Sequence, residues 1–147
     1  KGYGACLYLV ARNKEVTSQL ICAKSRVAPL KPQTLPRLEL AATLLLSKLT
    51  IKFLSAAKNK PSKIHLWTDS SIVLHWISGP SEKWQSFVSN RTAMIKSILN
   101  GQNVDWSHVS SKENPADLIS RGTTAKFLIN CKLWWKGPEW ITHDKSL

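Results

Sequence analysis

Acidic residues are scarce in this sequence: 9 Asp and Glu stand against 21 Lys and Arg, a formal net charge of +12 over 147 residues. Cysteine is sparser still. Cys6, Cys22 and Cys131 are odd in number and widely spaced, which excludes a disulfide framework and a cysteine zinc site. No apolar run approaches the roughly 18 residues of a spanning helix, and no basic amphipathic anchor is present. There is no Gly-rich phosphate loop and no GxSxG elbow, and His65, His75, His108 and His143 are not spaced as zinc ligands. No secretory signal pattern opens the sequence. What is present is a chain with 43% hydrophobic residues and 7 Trp, long enough for one domain to bury its own core. Its charge points to an acidic partner, nucleic acid foremost, against the plainer alternative of a basic domain with no polyanion partner. Cys6 and Cys22 fall in apolar, strand-like runs, so buried free thiols in a reducing compartment are expected.

The elements follow from periodicity and punctuation. Residues 2–10 read as a strand, Arg12 to Glu15 as a polar turn and residues 16–25 as a second strand, together a β-hairpin. Pro29, Pro32 and Pro36 punctuate a connector into a helix over residues 35–57, with Leu38, Ala42, Leu45, Leu49, Phe53 and Ala56 on one stripe. Residues 64–68 read as a buried strand, 70–77 as a helix, and 84–99 as another helix after the Gly79-Pro80 break. Residues 104–109 alternate like a strand. Residues 115–121 form a short helix, with Asn114 placed to cap it and Gly122 beyond its end. From Thr123 onward the sequence is loop-like and aromatic, with Trp134, Trp135 and Trp140. The order β-β-α-β-α-α-β-α is that of a mixed α/β domain.

Three of the few acids fall at predicted helix starts: Glu39, Asp69 and Asp117. Each has an ordinary explanation. Glu39 suits the positive end of a helix, Asp69 could cap the helix that follows it, and Asp117 stands three residues after Asn114, close to a capping box. Asp69 also ends an apolar strand, at the edge where open α/β sheets place their ligands. Capping does not require three elements to converge, whereas a two-metal site requires carboxylates from several elements. Magnesium prefers oxygen ligands and completes its shell with waters and a substrate phosphate. Two such ions can clamp an in-line displacement at phosphorus without a nucleophilic side chain.

Five blocks carry a family likeness: GYGA at 2–5, AKSRVAPLKPQTLPRLELAA at 23–42, LWTDSSIVLHWI at 66–77, WQSFVSNR at 84–91 and HVSSKENPADLISRG at 108–122. In that order they resemble the ribonuclease H domain of retroelement polyproteins, most nearly that of the Bel/Pao class of long-terminal-repeat retrotransposons. WWKGPEW at 134–140 resembles the segment that precedes the integrase region there. The resemblance implies an α/β, ribonuclease H-like fold, a mixed β-sheet flanked by helices, with the N-terminal strand missing from this chain. It implies a division into a ribonuclease H-like domain over residues 1–122 and a Trp-rich extension over 123–147. It also implies metal-dependent hydrolysis of the RNA strand of an RNA–DNA hybrid during reverse transcription. Two Mg²⁺ ions, or Mn²⁺ in their place, would be held by Glu39, Asp69 and Asp117 as catalytic residues.

The family's first acid sits on an opening strand, so the expectation is a fragment that starts just after it and is inactive without it. The histidine that some cellular relatives carry before the last acid has no counterpart between Ser110 and Asn114. Phosphate contacts are expected from Arg37, Arg91, Lys96, Lys112 and Arg121. The implied partners are an RNA–DNA hybrid and the reverse transcriptase and integrase regions of one polyprotein, with no membrane. The implied location is intracellular, in a cytoplasmic retroelement particle or the nucleus. The alternative is a catalytically degenerate domain of the same fold that binds nucleic acid or tethers the polymerase.

Overall fold

The computed structural model of the chain describes residues 2–143. Strand β1 (Gly2–Arg12) pairs antiparallel with β2 (Val16–Val27) in a long hairpin, with a register shift between Leu7 and Tyr8. Helix α1 (Leu35–Ala56) follows, and Pro36 suits its first turn, where the missing N–H costs no helical bond. Strand β3 (Ile64–Thr68) then pairs in parallel with β4 (Val104–His108), in a register that sets Thr68 beside His108. A parallel pair needs a long crossover, and helices α2 (Ser71–Ser78) and α3 (Ser86–Ile98) supply it. Helix α4 (Ala116–Arg121) comes next.

The core gathers where α1, α2 and α3 meet β3. Leu40, Val73 and Ile95 are fully buried there, and Leu66 packs with them. Trp84 does not head α3 as its sequence suggested. It ends a 3-10 turn, and its indole N–H donates to the Trp76 carbonyl at 3.1 Å. The region after Thr123 is not a loop either. It forms α5 (Ala125–Ile129), α6 (Lys132–Lys136) and a final 3-10 turn over Glu139–Thr142. This arm lies against the hairpin, with the Tyr8 hydroxyl donating to the Trp134 carbonyl at 2.8 Å and Lys136 Nζ donating to Gln19 Oε1 at 2.6 Å.

The two strand pairs are separate two-stranded sheets among the described residues. A cavity of about 1230 Å³ lies between them, walled on one side by α1. Every residue from Gly2 to Val10 and from Lys63 to Asp69 lines it. Side chains on one face of a strand alternate, so an unbroken run of lining residues means the cavity follows the edges of β1 and β3. Among the described residues no helix is long and apolar enough to cross a membrane.

Candidate active site

Asp69 leaves the carboxyl end of β3 and turns directly into α2. It does not cap that helix. Ser70 does, its hydroxyl accepting from the Val73 N–H at 3.3 Å, which leaves the Asp69 carboxylate for other partners. Asp69 Oδ2 accepts from the Ser111 hydroxyl at 3.1 Å, and the Asp69 carbonyl lies 3.2 Å from His108 Nε2. The β3–β4 register causes both contacts. Because Thr68 stands beside His108, the residues that leave β4 must pass Asp69.

Asp117 opens α4, which packs on β1 through a close approach of Ile119 to Gly4. Its carboxylate pairs with Arg121 one turn on, at 3.2 Å. Burial pushes the Asp117 carboxyl above the usual range, the charge of Asp69 pushes it further, and Arg121 opposes both. So the structure brings Asp69 close enough to Asp117 for its charge to disfavour that of Asp117. Glu39 lines the same cavity from the second turn of α1; its carbonyl accepts from the Thr43 hydroxyl at 2.9 Å, and no hydrogen bond or ion pair engages its carboxylate among the described residues.

The donor set suits a hard cation in part. Two carboxylates whose charges repel gain from a divalent ion between them, and magnesium takes one or two carboxylates with waters and phosphate. Among the described residues, however, no group of three or more His, Cys, Asp or Glu is near enough to hold a metal. Glu39 shares the cavity without closing a three-acid cluster. A thiol nucleophile is no rival: burial, then Cys22, push the Cys6 thiol up to about 12, where it stays protonated.

The expected phosphate contacts divide. Arg37 and Arg91 stand over one ring, that of Phe87, at 4.7 and 3.5 Å from its centre. Lys112 lies exposed on the same 3-10 turn as Ser111. Arg121 is engaged by Asp117, and Lys96 donates to the Gly79 carbonyl at the end of α2. Sequence reasoning missed Ser111, and it missed Glu113, whose Oε1 accepts from the Trp140 indole at 3.1 Å. Knowing the parallel pairing of the two short strands would have pointed to Ser111. Nothing in the spacing of residues 113 and 140 signals the other contact.

No curated protein and no solved structure matches the chain. Residues 1–70 match the family model described as the Pao retrotransposon-like RNaseH-like domain. That segment contains Glu39 and Asp69, while Asp117 lies beyond it. The mixed α/β architecture, with small sheets flanked by helices, agrees with a ribonuclease H-like fold. Over residues 1–70, then, the chain is similar to the Pao retrotransposon-like RNaseH-like domain family.

Proposed function

We propose that this domain serves a retrotransposon polyprotein as its ribonuclease H, hydrolysing the RNA strand of RNA–DNA hybrids during reverse transcription. One observation carries the proposal: Asp69 at the carboxyl end of β3 stands close enough to Asp117 to raise its carboxyl, in a cavity that Glu39 also lines. Glu39, Asp69 and Asp117 would hold the metal ions. When bound, the metals would activate water and stabilise the departing ribose oxygen. The residues themselves do the rest. Ser111 fixes the Asp69 carboxylate, Arg121 offsets in part the penalty on the charge of Asp117, and Arg37 and Arg91, both over the Phe87 ring, would present cations to the backbone of the duplex. The 2′-hydroxyl is what separates RNA from DNA at such a site.

The edges of β1 and β3 facing the cavity suit a further strand paired to both, and such a strand could bring a fourth carboxylate. A second reading is favoured by the missing three-acid cluster among the described residues. It is a non-catalytic domain of the same fold that binds hybrid or tethers the polymerase.

Cleavage of a labelled RNA–DNA hybrid with Mg²⁺ separates the two. It would be run on this chain and on a version carrying its parent's upstream sequence, with Asp69→Asn in that version as control. The expected result is RNA-strand cleavage by the extended protein, none by the control and little by the chain alone. An extended protein that binds hybrid and never cuts it would establish the tether instead.

A further inference from the structure

The C-terminal arm crosses from one sheet to the other. Its near end is fixed on the hairpin through Tyr8 and Gln19, and Ile141 beyond is buried. Its far end reaches the β3–β4 side, where the Trp140 ring packs against Trp67 with centroids 5.5 Å apart and planes tilted by 59°. Trp67 in turn stacks on His65. Trp140 also lines the cavity that holds the three acids.

What Trp140 touches next makes the arm more than packing. Its indole N–H donates to Glu113 Oε1, while Glu113 Oε2 accepts from the Ser110 hydroxyl at 2.8 Å. Glu113 closes the 3-10 turn over Ser111–Glu113, and its N–H donates to the Ser110 carbonyl at 2.9 Å. The first residue of that turn is Ser111, which holds Asp69. The turn is therefore gripped at both ends, by Trp140 at one and by Asp69 at the other. Such a short, exposed turn has little packing of its own, so its position depends on these side-chain bonds.

We infer that Trp140 is a positioning residue for the metal-binding carboxylates, fixing the Ser111–Glu113 turn through Glu113 and thereby the orientation of the Asp69 carboxylate. This rests on the metal-dependent reading above for its use, though the relay itself does not need a metal. An indole N–H is well suited to the task, since it donates one bond in a fixed direction and does not titrate. Groups that orient a ligand from outside the metal's own shell commonly alter affinity without touching the ion.

The relay is read on the whole 147-residue chain by the indole N–H signals of its 7 Trp in a ¹⁵N–¹H spectrum, with W140F identifying the Trp140 signal. Ser111→Ala and Asp69→Ala should shift that signal and leave the Trp84 indole, bonded to the Trp76 carbonyl, in place. Glu113→Ala should move it toward its solvent position, whereas Glu113→Gln, which keeps an acceptor oxygen, should move it less. A Trp140 signal indifferent to Asp69 and Ser111 would overturn the relay. Mn²⁺ titration of the same proteins gives the functional arm. Affinity should fall by up to about tenfold in both Ser111→Ala and W140F and stay unchanged in W135F. Parent-like affinity in W140F would overturn the positioning role. A parent chain that binds no Mn²⁺ would defeat the metal reading, while the indole shifts would still decide the relay.

Discussion

Asp117 gives up its proton less readily than an isolated aspartate, because burial and the neighbouring Asp69 both penalise its charge and Arg121 offsets them in part. A carboxyl raised in the folded state binds its proton more tightly there than in the unfolded chain. Its contribution to stability is therefore complete below the ordinary carboxylate range and is lost as pH rises through the raised value. At neutral pH the ionised group is a burden, which Asp117→Asn should lift. The expected gain is about 1–2 °C in Tm at pH 7, limited by solvent screening and by loss of the Arg121 pair. Thermal unfolding across pH should show the gain vanishing in acid. A lower Tm at neutral pH would mean that the ion pair outweighs the burial. If the acids bind metal, the same substitution should also abolish cleavage, a trade of function for stability.

At the scale of elements, the position of Asp117 depends on how closely α4 lies on β1. An added Cβ at Gly4 would stand 2.7 Å from Ile119 Cδ1, 2.8 Å from Ile119 Cγ1 and 3.2 Å from the Lys24 carbonyl. The Ile119 side chain or the helix must shift. Gly4→Ala should cost about 1–3 kcal/mol in urea unfolding and should weaken hybrid cleavage in the extended protein. Unchanged stability and cleavage would show that α4 is held by other contacts.

The same elements show why sequence reading reached as far as it did. The hairpin, α1 and both short parallel strands were legible, because each carries a regular apolar pattern between clear breaks. Asp69 was legible as a site residue by its place at a strand end, but not as distinct from a cap, because Ser70 beside it can cap as well. The C-terminal arm was not legible. Its helices span five residues each, too few to display a period, and its order comes from contacts with Tyr8 and Trp67, remote in sequence.

At the scale of the molecule, the excess of 12 positive charges sets how any duplex is held. Arg121 is paired with Asp117 and Lys96 is tied to the Gly79 carbonyl, while Arg91 gives only one of its five N–H groups to the Phe87 carbonyl at 3.1 Å and keeps the rest, which leaves Arg37, Arg91 and Lys112 of the expected phosphate contacts. The logarithm of hybrid affinity should then fall against the logarithm of salt concentration with a slope of about −3. Arg91→Gln should make that slope shallower by about 1, and Arg121→Ala should leave it unchanged. Fluorescence anisotropy at several salt concentrations measures both, and an equal effect of the two substitutions would contradict the division made here.

The slot between the sheets has a consequence for the isolated chain. Among the described residues two strand edges lie open along it, and an open edge offers its N–H and C=O groups to whatever extended backbone arrives. In concentrated solution the nearest such backbone belongs to another copy. Edge-to-edge pairing would then compete with folding alone, and colloidal behaviour would report whether the slot is filled. Like charges on every copy slow the encounter, so added salt, which loosens the grip on nucleic acid, would bring the copies together.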